Sequence, residues 1–124
     1  MPLLDPTFVA TNNPTSNTQA TVTHAGVTGK AHICNTIHCT FNAGTTAPAA
    51  SQVSVLLRDG ASGVGAVLWS SQMALTAVAG QASPPVEVSG LAISGMPGNA
   101  MTLEFAGSGG TNTFETVAFT GFVT

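Results

Sequence analysis

Gln52-Val53-Ser54-Val55-Leu56-Leu57-Arg58-Asp59-Gly60 is the stretch that decides the fold. Val53, Val55 and Leu57 recur at period two, which places them on one face of a strand. Asp59-Gly60 then signals a tight turn, with Gly63 and Gly65 close behind. Downstream, Val67 to Leu75 reads as another strand with Val67, Trp69, Met73 and Leu75 on one face. After the loop around Pro84-Pro85 comes Val86 to Ile93, whose apolar phase slips at Gly90 and predicts a bulge. Met96-Pro97-Gly98-Asn99 turns the chain into Ala100 to Ala106, where Met101, Leu103 and Phe105 alternate. Gly107 to Asn112 reads as a hairpin leading into the last strand, Thr113 to Val123.

Upstream the same period holds. Gln19 to His24 is a strand with Ala20 and Val22 facing one way. Lys30 to Phe41 is a longer one, with Ala31, Ile33, Ile37, Cys39 and Phe41 on a shared face interrupted by Asn35. Asn42 to Ala50 is a loop. Seven or eight short strands with Gly/Pro turns and no helical stretch predict an all-β fold, an antiparallel β-sandwich or jelly roll, over residues 19–124. Residues 1–18 read as an extended N-terminal arm, because Pro2, Pro6 and Pro14 oppose helix. Its apolar pairs Leu3/Leu4 and Phe8/Val9 are the expected contacts with a neighbouring subunit.

Composition excludes more than it assigns. The chain has 124 residues with two basic and five acidic side chains, 6% charged, against roughly 25% in an ordinary globular protein. Lys30 and Arg58 with a net charge of -3 cannot neutralise a phosphate backbone, so no nucleic-acid partner is expected. No apolar run is long enough to span a bilayer. The start Met1-Pro2-Leu3-Leu4-Asp5-Pro6 lacks the basic and apolar regions of a signal peptide, so a protein made in a reducing cytoplasm that matures without export is expected.

Few groups are available for chemistry. His32, Cys34 and His38 share a face in an unbroken strand, but a structural zinc wants a fourth ligand and a close pair across a turn. Half-buried strand residues are the better account, and no metal or cofactor is expected. Cys34 and Cys39 would lie about 16 Å apart on opposite faces at ~3.3 Å per residue, too far for a disulfide, so free thiols are expected. A hairpin symmetric about Gly109-Gly110 sets Phe105 opposite Phe114 and Glu104 opposite Glu115. Two facing carboxylates have the arrangement of a retaining glycosidase, yet one Trp and no Tyr are poor material for a sugar cleft. The chain is read as a non-enzyme with no catalytic residue. The same register turns Val117, Phe119 and Val123 outwards as an apolar edge stripe, which needs a partner to cover it.

Gly29-Lys30-Ala31-His32-Ile33, Leu57-Arg58-Asp59-Gly60, Val67-Leu68-Trp69, Met101-Thr102-Leu103-Glu104-Phe105 and Val117-Ala118-Phe119-Thr120-Gly121 resemble, in style and order, small jelly-roll head-decoration (cement) proteins of tailed bacteriophages. The resemblance covers roughly residues 19–124. It implies a homotrimer on the outer capsid surface of the virion that binds the major capsid protein and stabilises the shell, with no substrate or cofactor. The alternative is a carbohydrate- or host-surface-binding β-sandwich module of a phage tail or fibre.

Overall fold

The computed structural model describes residues 7–15, 18–106 and 113–124. Among the described residues nine strands run in chain order: β1 (Thr7–Asn12), β2 (Thr21–His24), β3 (His32–Ala43), β4 (Gln52–Asp59), β5 (Ala66–Ala74), β6 (Val86–Val88), β7 (Ile93–Ser94), β8 (Met101–Phe105) and β9 (Thr113–Val123). They form two antiparallel sheets packed as a β-sandwich. One has the order β1-β9-β3-β6, with β7 also paired to β3; the other has the order β2-β8-β4-β5. The pairings nest, β4 with β5, β3 with β6, β2 with β8 and β1 with β9, so the chain winds as one long hairpin folded over on itself.

Period-two segments bury their apolar phase between the sheets. Val53, Val55 and Leu57 on β4 and Met101, Leu103 and Phe105 on β8 face Ile37, Phe41, Val117 and Phe119 of the other sheet, all buried. Phe41 and Phe105 stack across the gap at 6.3 Å. Each such side chain contributes roughly 1.5–3 kcal/mol by leaving water.

Three expectations are corrected here. β8 and β9 form no hairpin with one another. They lie in different sheets, and the chain crosses between sheets from Phe105 to Thr113; Gly109-Gly110 lies outside the described residues. Glu104 therefore stands opposite Thr21 and Leu56, and Glu115 opposite Phe41. Nor is β9 an edge strand. It is held between β1 and β3, and Val117, Phe119 and Val123 are buried at 0%, 0% and 3% exposure. The expected stripe is core, while Phe114, expected to face inwards, is 48% exposed.

The third correction is a bulge. Cys34 pairs with Gly121 and Thr36 with Thr120, so Asn35 is an extra residue on β3. Its side-chain oxygen accepts from Thr120 Oγ1 at 2.8 Å and its backbone carbonyl from Leu91 N–H at 3.0 Å. The extra residue reverses the phase of the strand. His32 and Cys34 point inwards before it, and Ile37, Cys39 and Phe41 after it. Both cysteines consequently face the core despite their odd spacing, and both are free. Near Gly90 the expected slip is realised as a break between β6 and β7.

The arm is partly a strand. β1 pairs along β9 from Thr7↔Phe122 to Asn12↔Val117, and Phe8 and Ala10 enter the core of their own chain. Phe8 is thus spent within the subunit rather than on a neighbour, while Val9 stays 72% exposed. Leu3 and Leu4 lie outside the described residues.

Candidate functional site

Two polar clusters and one nearly uncharged surface are the features with functional content. The first cluster lies on the outer face of the β2-β8-β4-β5 sheet. All five residues of β8 are buried, because the segment after Asp59-Gly60 folds over that face. Arg58 Nε donates to Glu104 Oε1 and Arg58 Nη1 to the Gly65 carbonyl at 2.9 Å. Ser62 Oγ and the Gly63 N–H, the latter at 3.1 Å, both donate to Glu104 Oε2. Burial alone would raise the Glu104 carboxyl; the bonds from Ser62, Arg58 and Gly63 outweigh it and hold the group below its usual value. Thr102 Oγ1 donates to the Gly60 carbonyl at 2.7 Å and closes the clamp. This arrangement fastens a loop. With both carboxylate oxygens occupied by donors, Glu104 is not disposed for acid–base work.

The second cluster joins the sheets. His24 ends β2 and His32 begins β3; His24 Nδ1 lies 2.7 Å from His32 Nε2, and His32 Nδ1 lies 3.0 Å from the Asn99 carbonyl. A carbonyl only accepts, so His32 Nδ1 carries a hydrogen, Nε2 of the neutral ring accepts, and His24 Nδ1–H donates. Phe8 of β1 stacks on the His24 ring at 4.3 Å and meets His32 edge-on at 5.5 Å. Sequence reading missed this pair because the rings come from different sheets. A signal was present: His24 continues the phase of Ala20 and Val22.

The expected row of His32, Cys34 and His38 is split by the Asn35 bulge. His32 and Cys34 are inside, whereas His38 is on the outer face with its Nδ1 2.9 Å from Glu87 Oε1. Among the described residues no three His, Cys, Asp or Glu side chains are grouped to hold a metal ion. Burial pushes the thiol of Cys34 up to about 11 and that of Cys39 to about 12, so both are protonated, poor nucleophiles at neutral pH. Trp69 lies within β5 opposite Leu57, packed against the core rather than displayed on a loop.

The surface is the third feature. Of the seven charged residues, Asp5 lies outside the described residues. Arg58 and Glu104 neutralise one another, and Glu115 is buried and accepts the Ala20 N–H at 3.2 Å. Asp59 accepts the Met96 N–H at 3.1 Å. Of the described charged residues only Lys30 and Glu87 are exposed, and Glu87 is bridged to His38. In place of charge, the outer face of β3 and β9 carries threonines, hydrogen-bonded in the cross-strand pairs Thr36–Thr120 and Thr40–Thr116. Val9, Val64, Val67, Val78, Met96 and Phe114 are exposed around the molecule. Phe114 borders an open apolar hollow of about 500 Å³ with Ala79 and Gly80. No protein-family model matches this chain, and no curated protein matches it.

Proposed function

We propose that this chain is a non-enzymatic structural protein of a phage particle, a decoration subunit that trimerises and binds the assembled major-capsid shell. One observation carries the reading: the few charges of the sequence are further consumed inside the fold, leaving a described surface almost wholly of uncharged residues, with threonine, serine, alanine and glycine prominent. A small soluble monomer commonly keeps a quarter or more of its surface charged. A subunit whose faces are covered by copies of itself and by a shell has no such need. The β-sandwich with its nested strand pairings is an architecture such small decoration subunits use, and it supports the same reading. Binding to the assembled shell alone would stabilise it by mass action, without chemistry.

The placement of Trp69 in a packed strand counts against the glycan-binding alternative, which needs an aromatic platform open to solvent. Light scattering of the full chain at micromolar concentration is expected to give three times the 12.3 kDa chain mass. A monomer that binds in a glycan screen would overturn the proposal in favour of a binding module.

A further inference from the structure

We propose that the Leu3-Leu4 pair of one copy docks in the Phe114 hollow of a second copy, joining subunits head to tail by exchanged arms. This inference deepens the self-association in the reading above, and it does not depend on any shell.

The hollow is built from uncharged parts. The loops after β3 and after β5 come together where the Gly80 N–H donates to the Gly44 carbonyl at 2.7 Å, and β9 starts beside them, Thr113 opposite Ala43. Gly44, Thr45, Ala79, Gly80 and Phe114 line a space of about 500 Å³. Phe114 is 48% exposed there, and Val78, next to Ala79, is exposed as well. Residues 42–57 and 60–86, which supply both loops, contain no Asp, Glu, Lys or Arg. Thr45 brings the one polar side chain of the lining, too little to orient a polar ligand. Aliphatic side chains fit such a surface best.

The reach of the chain decides whose leucines those can be. β1 runs antiparallel to β9, and Thr7 stands opposite Phe122. Phe114 is eight residues back along β9, about 26 Å away at ~3.3 Å per residue. Leu3 is four residues before Thr7 and lies at most about 14 Å from it. Even turned straight back along its own subunit, the pair falls roughly 10 Å short of the hollow. The bound rests only on the spacing from Leu3 to Thr7, so it holds for any path of the arm. A second copy is under no such limit.

The sequence of the arm suits the contact. Phe8 is committed to its own core, which leaves Leu3-Leu4 as the remaining apolar pair. Pro2 and Pro6 flank it and fix the backbone φ at their positions, so less freedom is lost on docking. Asp5, the one charge of the arm, meets no carboxylate on the lining loops. The chain enters β1 at the end of the sandwich opposite Phe114. Arm and hollow therefore form a heterologous contact, which closes into a ring or runs on as a fibre. The trimer proposed above is the closed case.

The test is disulfide capture in the full chain carrying both Leu4→Cys and Ala79→Cys, oxidised at micromolar concentration and run on a denaturing, non-reducing gel. Cys34 and Cys39 are buried and protonated, so they compete poorly. Covalent oligomers are expected, with peptide mass mapping placing the bond between positions 4 and 79 of different chains. A monomer bridged within itself, or no bond between those positions, overturns the proposal. In light scattering, Leu3→Ser with Leu4→Ser, and separately Phe114→Ser, should each raise the concentration of half-dissociation about tenfold or more. That is the scale of one large apolar side chain returned to water. An unchanged native mass across dilution in both variants overturns it as well. Captured oligomers that bind no shell leave the arm exchange standing and remove the decoration reading. A trimer without the bond between positions 4 and 79 does the reverse.

Discussion

Replacing Glu104 by Ala should cost about 3–5 kcal/mol, seen as a lower urea midpoint with little change in slope. The reason lies in what is left behind. Arg58 has only 17% of its side chain exposed and would lose its counter-charge, and Ser62 and the Gly63 N–H would lose the oxygen they share. Arg58→Met together with Glu104→Leu should recover most of that loss, because two apolar side chains leave no buried charge. The pH dependence follows from the sign of the shift. Glu104 is held below its usual 4.5 in the fold. Its contribution is therefore complete above that value and is lost as the pH falls through the lowered folded value. Wild-type thermal unfolding should show this acid limb, and Glu104→Ala should lack it.

Gly121→Ala should be at least as damaging as an overpacked core substitution, about 3 kcal/mol or more. A Cβ at this position would lie 1.9 Å from the Ile33 carbonyl oxygen and 2.9 Å from its carbon. Those are backbone atoms at the Asn35 bulge, between the two longest strands, and they cannot move without unzipping β3 from β9. Gly90→Ala provides the contrast. Nothing lies within 4 Å of its added Cβ, and only the positive φ of 73° is strained, worth roughly 1–2 kcal/mol. Chemical denaturation of both variants should separate them. Equal losses would mean that β3 and β9 do not approach one another at Gly121.

How much of this was legible is clearest on β9. Period two grouped Glu115, Val117, Phe119 and Val123 on one face, and they do share one. A hairpin that mirrors Phe105 onto Phe114 turns Phe114 inwards and so sets that face the wrong way round. Gly-Ser-Gly-Gly is equally suited to a tight hairpin and to a crossing between sheets. Local turn chemistry does not say which strand the chain joins next. On β3 the interruption at Asn35 was visible, but its consequence was not. One extra residue reverses every later side chain, which brought both cysteines inwards and separated His38 from His32. β4 and β8 carry no bulge in the alternating apolar run, and there the expected faces Val53, Val55, Leu57 and Met101, Leu103, Phe105 are the buried ones.

The clusters were less legible than the sheets for a related reason. Arg58 and Glu104 are 46 residues apart and meet because β4 and β8 are neighbours. His24 and His32 meet although their strands never pair. Neither follows from spacing along one element. What composition did convey was scarcity of charge, and the fold sharpens it by using Arg58, Glu104 and Glu115 internally.

Co-sedimentation with purified, undecorated expanded shells of tailed phages, scored for bound copies per shell and for shell melting, tests the central claim most directly. The proposed role requires saturable binding in a fixed ratio to capsid subunits and a raised shell melting temperature, about 2.7 kcal/mol of stabilisation at a free concentration one hundred times Kd. Binding to no shell above the level of an unrelated β-sandwich, with melting unchanged throughout, would contradict it.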